Sequence, residues 1–101
     1  MTAEDKIRRL TQNQAKALSA VVSGTVSAPT VSTSYISTAT GLTGRSLGGT
    51  VSALERNNLI QPLGRADREF NWELSDPDIR EARDKEPEKV KEILDKVAGK
   101  K

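Results

Sequence analysis

Cysteine and histidine are both absent from the 101 residues. Without cysteine there is no disulfide framework and no thiolate metal site, and without histidine the usual zinc ligand and the commonest general base are missing. No recognisable nucleophile motif, phosphate-binding loop or metal-ligand spacing replaces them, so the expectation is a protein that is not an enzyme and needs no metal or cofactor. Aromatic residues are scarce too: one Phe, one Trp and one Tyr, against nine Leu, seven Val and five Ile to build a core. No apolar run approaches the roughly 18 residues that span a bilayer, and Met1 to Leu10 carries charges in place of a signal peptide's apolar stretch. The expectation is a cytoplasmic protein without a membrane partner, of a length that suits one compact domain.

Charge of one sign is also missing as a bulk property. Sixteen Lys and Arg face fourteen Asp and Glu, a net charge of +2, and the pI of about 9.1 is only a mild pointer to an anionic partner. The distribution says more. From Ala17 to Gly44 there is no charged residue, and twelve of those 28 positions are Ser or Thr. Such a stretch is either a low-complexity linker or folded structure that turns hydroxyls toward its own core or toward a polyanion.

Patterning favours folded structure. Thr11 and Gln14 have the spacing of a capping box, and Ala15, Leu18, Val21 and Val22 recur at helical intervals, predicting an amphipathic helix over Gln12 to Ser23 that ends at Gly24. Thr25 to Thr30, with Pro29 inside it, reads as a loop. Ser32 suits the cap of a short helix through Thr40, with Ile36 and Ala39 inward and Gly41 at a tight exit. Thr43 suits the cap of the next helix, Gly44 to Asn57, whose inward residues are Leu47, Val51 and Leu54. Asn58 can end it in the left-handed conformation. From Leu59 the period changes to alternation: Leu59 to Leu63, a polar turn from Gly64 to Glu69, then Phe70, Trp72 and Leu74 on one face, a β-hairpin signal with Pro62 at an edge position or a non-bonded site in the ladder. Asp76-Pro77 starts another helix and Pro87 interrupts it. The final helix carries Val90, Ile93, Leu94 and Val97 on one stripe, and Lys100 and Lys101 are expected to fray.

Val31-Ser32 through Ile36, Gly41-Leu42-Thr43, Leu47, Val51, Leu54-Glu55-Arg56 and Asn58-Leu59-Ile60 together resemble the core pattern of small bacterial and archaeal winged helix-turn-helix regulators, the MarR-like type among them. The resemblance covers about Thr11 to Leu74. Ser37 stands where that family usually has Ala, Asn58 replaces the Gly of its Gly-Leu-Ile, and the hairpin turn is short. The fold it implies is mainly α with a small β-hairpin: a three-helix core plus wing, followed by a C-terminal helix. The matching organisation is an N-terminal arm or helix extension at 1–10, a winged helix-turn-helix domain at 11–75 and a C-terminal helical extension at 76–101.

The resemblance also implies that the helix from Gly44 enters the DNA major groove while the wing touches backbone or minor groove. Subtracting the inward stripe leaves Thr43, Gly44, Arg45, Ser46, Gly48, Gly49, Ser52 and Arg56 on the outer face. Arg45 can bond guanine O6 and N7 together or hold a phosphate. Thr43 and Ser46 can bond a phosphate at the positive helix end, Thr43 alternatively serving as a plain cap. Gly48 and Gly49, costly inside a helix, fit close approach to a groove or close packing on the preceding helix. Arg65 and Arg68 in the hairpin turn complete a basic rim with Arg56, diluted by Asp67 and Glu69. Tyr35 is a phosphate donor or a core edge, and Phe70 and Trp72 are core under the wing in preference to a base-stacking platform.

The stripe Val90, Ile93, Leu94 and Val97 can cover the first helix of its own domain or form a homodimer contact that pairs two half-sites on double-stranded DNA. From Asp76 onward eight acidic and eight basic residues balance, which suits protein contact. The expected function is sequence-specific double-stranded DNA binding by a transcription regulator that occupies its operator. The alternative is a winged-helix protein-interaction or assembly module without specific DNA binding.

Overall fold

The computed structural model describes residues 2–66 and 69–99. Among them the chain forms α1 (Ala3–Arg8), α2 (Gln12–Gly24), β1 (Val31–Ser32), α3 (Thr33–Thr40), α4 (Gly44–Arg56), β2 (Ile60–Ala66), β3 (Glu69–Leu74), α5 (Pro77–Lys85) and α6 (Pro87–Ala98). It is thus mainly helical with a small antiparallel sheet of order β1-β3-β2. No helix among these residues is long and apolar enough to cross a membrane.

Local chemistry sets most of the boundaries. The Thr11 hydroxyl accepts the Gln14 amide at 3.2 Å while the Gln14 side chain accepts the Thr11 amide at 3.1 Å, a complete capping box. Thr2 and Asp5 form a second box in front of α1, so residues 1–10 contain a separate helix and no extension of α2. Ser32 accepts the Tyr35 amide at 3.1 Å to start α3, and Gly41 ends it at φ 77°, a conformation that costs glycine little. Asn58, at φ 60°, turns the chain out of α4. Asp76 caps α5 through the Ile79 amide at 3.0 Å, with Pro77 in the first turn where its missing N–H removes no helical bond.

Gly24 does not terminate α2 by a left-handed turn. It is the last helical residue, followed by Thr25 at φ −88°, and its lack of a side chain makes room. A Cβ there would collide with Val31 Cγ1 and come within 2.9 Å of Tyr35 Cε2. The glycine lets the start of α3 lie against the end of α2.

α2 is the central element. Ala15, Ala17, Leu18, Ala20, Val21 and Val22 are all buried, so solvent meets α2 mainly in its first turn, at Gln12 and Asn13, and along a strip through Lys16, Ser19 and Ser23. This accounts for the part of the charge-free stretch that lies in α2, residues 17–24, where a largely covered helix has few positions for a charge. α3, α4 and β3 pack on α2, and α6 packs on it as well. One continuous core therefore runs from Ile7 and Leu10 through Leu18, Ile36, Leu54 and Trp72 to Ile79, Val90, Ile93 and Leu94.

That core bears on two expectations. The segments 1–10, 11–75 and 76–101 share it, since α1, α5 and α6 pack into the same cluster as the middle segment. Of the two covers weighed for the apolar stripe, its own domain and a second copy, the first is the one seen: Val90, Ile93 and Leu94 are buried and Val97 is partly buried, in a helix that lies on α1 and α2. Burying such side chains is worth about 1.5–3 kcal/mol each, and a second copy could reach them only by displacing that packing. Polar ties reinforce the junction. Lys6 Nζ lies 2.7 Å from Asp76 and 3.0 Å from Asp78, and Arg83 Nη1 donates to Thr25 Oγ1 at 2.9 Å. Lys100 and Lys101, expected to fray, lie outside the described residues.

The sheet holds a strand that patterning missed. Val31 and Ser32 pair with Trp72 and Asn71, so β1 is two residues long and closes β3 from the side opposite β2. β2 is an edge strand, one of the two readings Pro62 allowed, and it bulges: Pro62 faces Trp72 and Gly64 faces Asn71, leaving Leu63 as the extra, exposed residue. The strands also run further than expected. Gly64, Arg65, Ala66 and Glu69 are in the ladder, so Arg65 is a strand residue and not part of the turn.

Candidate nucleic-acid interface

α4 divides cleanly. Thr50, Val51 and Leu54 are buried and Leu47 is half-buried, while Gly44, Arg45, Ser46, Gly48, Gly49, Ser52 and Arg56 are exposed. The inward stripe was anticipated except for Thr50. At 100° per residue Arg45, Gly49, Ser52 and Arg56 form one line opposite Leu54, so two arginines stand roughly 16 Å apart with small residues between them.

Gly48 and Gly49 do not serve packing inside the protein. An added Cβ at either meets nothing within 4 Å, which removes close contact with the preceding helix as their explanation. Gly48→Ala and Gly49→Ala are each expected to raise the unfolding free energy by up to about 1 kcal/mol, measured by urea denaturation. Unchanged or lower stability in both would mean that the backbone there needs glycine for its own sake.

The start of α4 is open. Thr43 is at the cap position with extended backbone, but its hydroxyl makes no capping bond, so it is not the plain side-chain cap. Gly44 follows at φ 57°, a left-handed first residue that a side chain would strain. Thr43, Arg45 and Ser46 are all exposed at this end.

The start of α3, by contrast, is filled. Ser34 donates its amide to Glu69 Oε1 at 2.7 Å and its hydroxyl to Glu69 Oε2 at 2.9 Å. The Tyr35 amide is already on Ser32, so two donors of this first turn are taken, and Tyr35 itself is exposed with its ring beside Gly24. Glu69 therefore does not simply dilute the basic rim. Its carboxyl is held below the ordinary range, first by the Ser34 amide, then by the Ser34 hydroxyl and more weakly by Ser32. A depressed folded-state pKa means that this contribution is complete above the unfolded value and is lost as pH falls through the lower one. The hairpin is therefore expected to keep its amide-exchange protection at pH values where ordinary carboxylates have begun to protonate, and to lose it only in stronger acid. Loss in step with ordinary glutamates would show that the bonds to Ser34 are not formed in solution.

In the hairpin, Trp72 is core and its indole N–H donates to Thr33 Oγ1 at 2.9 Å. Phe70 is not core: it is 44% exposed, with its ring 5.8 Å from that of Trp72 and the Arg65 guanidinium 5.2 Å from its centroid. Arg68 and Asp67 lie outside the described residues.

No family model, no curated protein and no solved structure matches the chain. The chemistry of the surface itself is then the guide. Among the described residues, ion pairs involve only the cations Lys6, Arg8, Arg83, Lys85 and Lys96, all in α1, α5 and α6. Arg45, Arg56 and Arg65 pair with no carboxylate among those residues; the first two stand on an α4 face of hydroxyls and bare backbone, with the exposed Glu55 beside it, and Arg65 stands on the hairpin. Such a face can accept an extended anion with planar, hydrogen-bonding groups. The described residues hold no cluster of three or more potential metal ligands.

Proposed function

We propose that this protein is a double-stranded DNA-binding transcription regulator of the winged helix-turn-helix type, acting by occupancy of its operator. In this reading α3 and α4, joined by Gly41-Leu42-Thr43, are the helix-turn-helix, the β2–β3 hairpin is the wing, and α4 enters the major groove. The observation that carries it is the outer face of α4: Arg45 and Arg56 at its two ends, Gly48, Gly49 and Ser52 between, with both glycine positions open to solvent. A helix thinned in this way can approach base edges closely, with Arg45 at its start within reach of a base edge and Arg56, roughly 16 Å further along the helix, within reach of a flanking phosphate. Arg45 is the base reader and Arg56 and Arg65 are backbone contacts.

Three arginines per copy make a modest electrostatic contribution, so two copies on paired half-sites would supply further affinity, through a surface other than the α6 stripe. Selection of bound duplexes from a random pool tests the whole reading. A recovered motif with guanine at one fixed position supports it, and paired motifs report two copies. Failure to retain any duplex at low salt overturns it and leaves a protein-assembly module as the function of the same face.

A further inference from the structure

The hairpin outruns its support. β1 contributes only Val31 and Ser32, paired with Trp72 and Asn71, so beyond Asn71 strand β3 has no strand partner on that side among the described residues. An isolated two-stranded hairpin is at best marginally stable in water, yet Arg65 lies in this outer part, opposite Phe70. Side chains from the start of α3 replace the missing strand. Thr33 Oγ1 donates to the Phe70 carbonyl at 3.3 Å and accepts the Trp72 indole N–H, and Ser34 donates twice to Glu69. The bonds to Glu69 are the strongest of these, because a carboxylate accepts them at the positive end of a helix.

We propose that Glu69 is a positioning residue: by capping α3 from the hairpin it fixes the wing to the helix pair, and through Phe70 it fixes the direction of Arg65. The line of contact is continuous, from Ser34 to Glu69, along the backbone to Phe70, and from the Phe70 ring to the Arg65 guanidinium. The role of Arg65 rests on the DNA-binding reading above; the clamp itself does not.

A carboxylate near DNA that did nothing else would repel phosphates, and its removal would tighten binding. The clamp predicts the opposite sign. In full-length protein titrated with a random-sequence duplex at low salt, Arg65→Ala and Glu69→Ala are each expected to weaken binding roughly fivefold. The double variant is expected to be no weaker than Arg65→Ala alone, since a residue acting through Arg65 has nothing to position once Arg65 is gone. Glu69→Gln, which keeps an acceptor for the Ser34 amide without the charge, is expected to restore binding. Without DNA, Glu69→Ala is expected to speed amide exchange in the outer hairpin and the first turn of α3 more than in the other helices, with a small drop in the unfolding midpoint of about the size of a lost helix cap.

Unchanged hairpin exchange in Glu69→Ala overturns the clamp. Additive losses in the double variant, or tighter binding by Glu69→Ala, overturn the positioning of Arg65. Faster exchange together with no duplex binding by the unsubstituted protein leaves the clamp standing and removes the DNA-binding reading with the role of Arg65 in it.

Discussion

Arg45→Ala combined with Arg56→Ala is expected to lower affinity for a selected duplex roughly a hundredfold, combining loss of a base-reading fork with loss of a phosphate contact. The two residues share one line on α4 and neither is held by a carboxylate among the described residues, so their charge is available at no cost in broken ion pairs. Salt dependence separates the two contributions. Each arginine that neutralises a phosphate releases condensed counterions, so a plot of log affinity against log salt should flatten by about one unit per phosphate contact removed. Arg56→Ala alone should weaken all duplexes equally and flatten the slope. Arg45→Ala alone should also relax discrimination at one base pair. Anisotropy titrations at several salt concentrations measure both quantities. An unchanged affinity and slope in the double variant would mean that this face of α4 does not meet DNA.

Leu94→Ala is expected to cost about 3 kcal/mol of unfolding free energy, within the usual range for a fully buried leucine and a large share of a small domain's total. Leu94 is 1% exposed and belongs to the same cluster as Ile7 and Leu18. Truncating it leaves a cavity between α6 and the central helix that surrounding side chains close only in part. A peripheral arm would behave differently, with a change within about 0.5 kcal/mol. Chemical denaturation at several protein concentrations adds a second readout. A stripe buried within one chain gives a midpoint independent of concentration, whereas a stripe shared between two copies gives one that rises with it.

How far these features were legible follows from how local each is. Capping at Thr11 and Ser32, the helix start at Asp76-Pro77 and the turn at Asn58 depend on a few neighbouring residues, and each lies where its residue type predicts. The outer face of α4 emerged by subtraction once Leu47, Val51 and Leu54 were assigned inward. Alanine hid more: Ala17 and Ala20 are buried, yet their small side chains give no strong periodic signal, so α2 looked half-exposed when it is largely covered. The stripe on α6 announced that it needed a cover without naming one, since an apolar face is the same whether its partner is its own chain or another. β1 is too short to show a period of two. Glu69 was hidden for the same reason: only the pairing of Val31 with Trp72 brings it to Ser34, 35 residues away along the chain. Arg65 and Phe70 were displaced from their expected settings because the ladder runs almost to the tip, past the core that covers Trp72.

The edge of β2 has a bearing on the protein's life at high concentration. Among the described residues this strand pairs only with β3, which leaves a row of backbone donors and acceptors facing outward. A straight, unbroken edge of that kind recruits foreign strands and seeds aggregation. Pro62 removes one donor from it, and the extra residue at Leu63 bends what remains, so an incoming chain finds no more than a few consecutive partners. An irregularity that costs the hairpin part of its ladder thereby doubles as a guard against self-association, in a protein whose small net charge provides little mutual repulsion between copies.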